Sequence, residues 1–314
     1  MRLIVILLYI TLLLSCKKEK ETGFIQKNVH NSFSWIYKPD TLFASNKIFL
    51  SAKTNIPKNN LLLFISNDYG NSIIKPIVNG ETATFNLPKS FSNISGFLTY
   101  SLVSNKTILE KGNLMIKPLN KTNLLETYCG PPYLVASEDD FAMLVVIPMD
   151  IYDNPNKNDY YSVETYRNKS TKKLIKHNEL LAYNNIYSRI KKGKLFTQAY
   201  TDSIQSKLLE ITVLSNNPTN FSIDFDRNTS LADGKELTTL KTSIIKDQYN
   251  NIIENGTLVS FYLTFGNTHM KAYGKTNNGI AISQFVHPSK KKTYTVQAFV
   301  EGFASSNKLT ITYN

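Results

Sequence analysis

The chain has 314 residues, 42% of them hydrophobic and 19% charged, which is more than one typical domain needs and enough to bury several modest cores. Its 36 Lys and Arg against 24 Asp and Glu give a formal charge of +12. The lysines stand in short clusters, Lys17-Lys18-Lys20, Lys172-Lys173-Lys176, Lys191-Lys192-Lys194 and Lys290-Lys291-Lys292, so they read as solvated surface rather than as a nucleic-acid-binding arm.

The first stretch is an address. Arg2 gives a short positive start, Leu3 to Leu14 is apolar, and Leu13-Leu14-Ser15-Cys16 places a small residue before a cysteine. An apolar run of this length is too short to span a bilayer stably and belongs with export segments removed from mature chains. The four residues resemble a lipobox, and the stretch resembles a bacterial lipoprotein signal peptide. That resemblance implies cleavage after residue 15, acyl chains on the Cys16 sulfur and its new amino terminus, and stable anchoring in the outer membrane. It leaves 299 residues, with Cys129 the one remaining cysteine, so no intrachain disulfide is expected. Which face of that membrane the chain occupies stays open.

Residues 16–32 follow as a lipidated cysteine and a charged tether with neither helical nor strand period. From Phe33 the chain breaks into short runs rich in β-branched and aromatic residues, at Lys47–Ala52, Leu61–Ser66, Thr82–Leu87 and Gly96–Val103. Turn residues separate them, including Asn67-Asp68-Tyr69-Gly70-Asn71 and Asn79-Gly80, which predicts an antiparallel sandwich over residues 33–119. The order of these pieces resembles a macroglobulin-like β-sandwich. Cys129-Gly130-Pro131-Pro132 is not the thioester motif that some relatives of that family carry.

Beyond residue 120 the chain repeats itself. Asp150-Ile151-Tyr152-Asp153-Asn154 and Asp247-Gln248-Tyr249-Asn250-Asn251 are both D-x-Y-x-N after a strand, 97 residues apart. Pairing Gly193 with Gly279 downstream gives the first copy about eleven extra residues around Tyr160 to Tyr187, an insertion in the middle domain. Repetition at this length predicts tandem domains over residues 120–228 and 229–314. Asp233-Gly234 and Asn255-Gly256 are tight-turn pairs, and Lys308–Tyr313 alternates as a last strand. In their order these pieces resemble a bacterial Ig-like domain of the invasin and intimin type. The resemblance implies a stiff spacer with no catalytic residues. The expected fold class is therefore all-β, with three tandem antiparallel Ig-like β-sandwiches.

Candidate contact residues are Tyr160, Tyr161, Tyr166, Tyr183 and Tyr187, because exposed tyrosines bind proteins and sugars well; the alternative is that they cover sheet edges. Glu138-Asp139-Asp140, Asp150 and Asp153 would have to converge to hold calcium at a domain junction, and otherwise are solvated acids. The four histidines lack metal-ligand spacing, so no metal and no cofactor is expected. No nucleophile elbow, phosphate loop or HExxH occurs, and no enzyme is expected. Asp40-Thr41-Leu42 and Asp202-Ser203-Ile204 resemble Bacteroidetes O-glycosylation sites. The expected role is adhesion or structural support in the envelope, with a protein partner and no nucleic acid. The alternative is a glycan-binding lipoprotein, which needs an aromatic platform on one exposed face although Trp35 is the only tryptophan.

Overall fold

The computed structural model describes residues 33–176, 182–201 and 204–314. The export stretch, Cys16, the tether, His30, His177, Glu179–Leu181 and Asp202-Ser203 lie outside the described residues. The chain forms two compact units, one running to Lys121 and including Asp150–Asn154, the other made of Thr122–Met149 and Pro155–Asn314.

In the first unit the strands are β1 (Phe33–Tyr37), β2 (Thr41–Phe43), β3 (Phe49–Thr54), β4 (Leu61–Asn67), β5 (Gly70–Ile74), β6 (Ile77–Asn79), β7 (Thr82–Asn86), β8 (Gly96–Ser104) and β9 (Thr107–Lys117), with a single turn of helix, α1, at Lys89–Ser92. They make a four-stranded sheet, β1-β3-β7-β6, and a five-stranded sheet, β2-β9-β8-β4-β5. The expected period of two puts Leu61, Leu63 and Ile65 of β4 inward against Leu50, Phe85, Leu98 and Leu102, and one core forms between the sheets. Trp35 belongs to its edge: its indole N–H donates to Glu110 at 2.9 Å, and its ring meets Tyr100 edge-on.

The second unit continues with β10 (Leu124–Gly130), β11 (Tyr133–Val135), β12 (Phe141–Met149), β13 (Tyr160–Tyr166), β14 (Lys169–Ile175), β15 (Ala182–Tyr187), β16 (Gly193–Thr201), β17 (Ile204–Gln205) and β18 (Leu209–Leu214). These form a three-stranded sheet, β10-β12-β15, and a six-stranded sheet in which β13 lies between β14 and β16. The last strands are β19 (Ile223–Asp226), β20 (Leu237–Thr242), β21 (Leu258–Phe265), β22 (Thr268–Asn277), β23 (Ile280–Val286), β24 (Lys292–Val300), β25 (Ala304–Ser305) and β26 (Leu309–Tyr313), all in one hydrogen-bonded sheet. Each group encloses its own core, around Leu144, Leu195 and Ile211 in the first and Phe261, Val296 and Tyr313 in the second.

Turn chemistry fixes the hairpin registers. Asn105-Lys106, Arg167-Asn168 and Asn278-Gly279 each hold two consecutive positive φ angles, the geometry whose twist matches that of the flanking strands. Gly274 lies where β22 leaves β21 to pair with β23: a Cβ there would stand 2.5 Å from the Ile282 carbonyl oxygen, so the crossing needs glycine.

Two expectations are corrected by these pairings. β19 pairs with β20, so the last sheet begins before residue 228. The middle segment has no insertion of eleven residues. Gly193 opens β16, which pairs with β13 as β24 pairs with β21, whereas Gly279 precedes β23, whose counterpart is β15. The strands of the two copies correspond at a nearly constant offset, their first residues 96 to 100 positions apart, and Tyr160–Tyr187 supplies β13, β14 and β15, framework strands of the sandwich. A shared G-x-x-x-x-Q pattern on two different strands produced the mismatch.

Candidate functional site

The five candidate tyrosines separate in the fold. Tyr160 is 1% exposed, in the core beside Leu144 and Ile186, and is withdrawn from any partner. Tyr161 stacks on Tyr200 with centroids 5.6 Å apart, and the Lys172 ammonium lies 3.8 Å from its ring centre. The Tyr166 hydroxyl donates to the Lys191 carbonyl. Tyr183 and Tyr187 alone of the five share an exposed face, at 58% and 50% exposure on β15.

Strand pairing builds that face. Across β10-β12-β15, Tyr128 stands opposite Val145 and Val145 opposite Tyr183; Met143 is opposite Asn185, and Phe141 opposite Tyr187, with ring centroids 5.8 Å apart. Glu126 lies opposite Ile147, and Leu124 opposite Met149. Because side chains alternate, Ala142, Leu144, Val146 and Pro148 fill the inner side of β12 while Phe141, Met143, Val145, Ile147 and Met149 point outward. At strand spacings of about 4.8 Å and rises of about 3.4 Å, the outward patch measures on the order of 400 Å², the size at which exposed apolar area marks interaction sites. No lysine or arginine is among its residues. The one acid, Glu126, accepts a hydrogen bond from the Tyr128 hydroxyl, and the pairing raises the phenol pKa. Asn185 brings a side-chain oxygen that is shielded from solvent and has no hydrogen-bond partner.

Tyr128, Phe141 and Met143 were not among the sequence candidates, although a signal was present. A sandwich strand with one wet face should alternate apolar and polar, and Phe141-Ala142-Met143-Leu144-Val145-Val146-Ile147-Pro148-Met149 is apolar on both phases.

A second constellation comes from the D-x-Y-x-N loops. In the second unit, Asp247 Oδ1 accepts the N–H groups of Tyr249 and Asn251 at 2.9 and 2.8 Å, and Oδ2 accepts Asn216 N–H at 2.8 Å. The Asn251 amide donates to Asp247 Oδ2 and to the Ile190 carbonyl, and its oxygen accepts Lys192 N–H at 3.1 Å. Tyr249 packs on the core of β10–β18, so this loop joins the two sandwiches of the unit. Inside the first unit, Asp150 accepts Tyr152, Asn154 and Leu119 N–H groups, while Asn154 donates to the Asn93 carbonyl and accepts Ser95 N–H at 2.7 Å. Every partner pair, 93 and 190, 95 and 192, 119 and 216, is separated by the same 97 residues. Burial alone would raise both aspartates; the converging donors outweigh it and hold Asp150 and Asp247 below the ordinary carboxyl range.

The oxygens of these two carboxylates are taken up by N–H donors, so Asp150 and Asp247 are not free to converge on calcium. Asp140 likewise accepts Val135 and Phe141 N–H groups. Among the described residues no group of three or more His, Cys, Asp or Glu is placed to hold a metal ion. His287 is buried and donates Nδ1–H to the Leu231 carbonyl; His269 contacts Thr264. Burial pushes the free Cys129 thiol up to about 11, far from a reactive thiolate at neutral pH. No helix among the described residues is long and apolar enough to cross a membrane.

No family model matches the chain, and no curated protein matches it. Among solved structures it is similar to FdeC, an adhesin of Escherichia coli, at 14% identity over 92% of this chain and 98% of that one, with a TM-score of 0.57. It also matches invasin, a bacterial integrin-binding protein, at 12% identity over 91% of this chain and 60% of that one, TM-score 0.49. InvD of Yersinia pseudotuberculosis matches at 11% identity, with 90% and 97% covered and a TM-score of 0.48. The likeness is one of fold: all-β, with Ig-like sandwiches.

Proposed function

We propose that the chain is a non-catalytic, adhesin-like envelope protein, held to the outer membrane by lipid on Cys16, that meets its partner through the outer face of β10-β12-β15. The observation that carries this reading is the apolar, aromatic second side of β12, flanked by Tyr128, Tyr183 and Tyr187. Aromatic residues and methionine, with charge kept away from the centre, are what contact surfaces concentrate. The fold shared with an adhesin supports the same role.

Purified chain, and a variant carrying Tyr183→Ser with Tyr187→Ser, would be applied to bacterial and epithelial cell layers. Saturable binding by the wild type, with at least a tenfold loss in the variant, is expected. Absent binding, or equal binding by both, overturns the proposal. Both tyrosines are at least half exposed, so the variant keeps its cooperative thermal transition, lowered only by the lost Phe141–Tyr187 ring contact, and that transition serves as the folding control.

A further inference from the structure

Resting on the reading that β10-β12-β15 is the contact face, we infer that its ligand is an uncharged polysaccharide, laid across Tyr128, Phe141, Tyr183 and Tyr187.

Charge comes first. The chain carries 36 lysines and arginines, yet none is on this face, and its single carboxylate is engaged by the Tyr128 hydroxyl. An acidic polysaccharide, a nucleic acid or an anionic membrane would find no cation among the residues of these three strands and a carboxylate to repel it, since the neighbouring Arg189 guanidinium, on the Tyr187 carbonyl, is already paired with Glu164. The match is to a neutral partner.

Shape and chemistry come second. The aromatic groups stand on one face of a three-stranded sheet: Tyr128 and Tyr183 are two strands apart, about 10 Å, and Tyr183 and Tyr187 are four residues apart, about 13 Å. Each exposed ring has a hydrogen-bonding group beside it, Glu126 next to Tyr128 and Asn185 between Tyr183 and Tyr187. A pyranose ring has an apolar C–H face bordered by hydroxyl donors, which fits a ring with an acceptor at its edge. Asn185 itself is partly exposed between the two tyrosines, so its amide group can serve the hydroxyls that border a sugar ring. A greasy protein segment would cover the rings and leave Glu126 and Asn185 unmatched. Trp35, the residue that composition alone would nominate for sugar stacking, is tied to Glu110 and Tyr100, so the tyrosines take that part.

The test is native affinity electrophoresis of the purified chain through gels containing a β-glucan, an α-mannan, a xylan or a galactan, with alginate as the acidic control. The inference predicts retardation by at least one neutral polymer. That retardation should persist in half-molar salt, fall tenfold or more in the Tyr183→Ser, Tyr187→Ser variant and fall several-fold in Glu126→Gln. No retardation by any neutral polymer, or retardation that the double variant keeps, overturns it. Binding to cell layers after periodate or protease treatment separates this inference from the reading beneath it. Tyrosine-dependent binding abolished by periodate supports the polysaccharide. Tyrosine-dependent binding abolished only by protease overturns the polysaccharide and keeps the face. Binding that ignores the tyrosines overturns both.

Discussion

At the scale of single residues, the aspartate and asparagine of each D-x-Y-x-N loop collect the densest hydrogen bonding of their loop. Asp247 gathers three backbone N–H groups and the Asn251 amide on two oxygens, so Asp247→Ala leaves buried donors unsatisfied and should cost about 2–4 kcal/mol in denaturant unfolding. Because the folded carboxyls titrate below the usual 3.8, Asp150 and Asp247 stabilise the fold above about pH 4, and that contribution is lost as pH falls through the depressed folded values. Asp247→Asn should therefore be less stable than wild type at pH 7 and show a flatter stability profile below about pH 4. An unchanged acid profile in chemical denaturation would remove Asp247 from this account. Tyr160 gives the opposite kind of prediction. Its hydroxyl is buried without a hydrogen-bond partner, so Tyr160→Phe should be neutral or stabilising by up to about 1 kcal/mol, readable as an equal or higher Tm.

At the scale of elements, strands were legible where burial is one-sided. Thr82–Leu87 and Lys308–Tyr313 announced themselves by alternation, Leu61–Ser66 by its continuous apolar run, and the Asn-Gly and Asp-Gly pairs marked turns. Two things were not legible. The pairing partner of a strand is set by topology, so Gly193 and Gly279 looked equivalent although their strands hold different places in their sheets. The side of the sheet on which a tyrosine falls depends on phase: Tyr160 and Tyr161 are neighbours in sequence, and one is core while the other lies on the surface under Lys172. The repeated D-x-Y-x-N motif was visible as a pattern, but its partners, scattered over more than 60 positions of sequence, appear only once the chain is folded. Since β13 lies between β14 and β16, deleting residues 160–187 removes framework strands; the deletion should abolish the cooperative unfolding transition of the second unit, monitored by near-ultraviolet circular dichroism.

At the scale of the whole molecule, the proposed function needs an anchor at Cys16, a β-sandwich framework and a contact face on β10-β12-β15. The anchor belongs to residues outside the described part of the structure, and its test is direct: Cys16→Ala should move the chain from the membrane fraction to the soluble fraction, whereas retention in the membrane would discard lipid attachment. Calcium chelation should leave Tm unchanged, because the loop carboxylates already hold N–H donors. The contact face is the central claim. Hydroxyl-radical footprinting of the chain, free and bound to cell layers, reads it most directly, since tyrosine, phenylalanine and methionine report their own exposure. Protection should concentrate on Tyr128, Phe141, Met143, Tyr183 and Tyr187, while exposed Tyr69, Met270 and Tyr273 keep their free-state reactivity. Protection at Met270 and Tyr273 with none on β10-β12-β15 would contradict it.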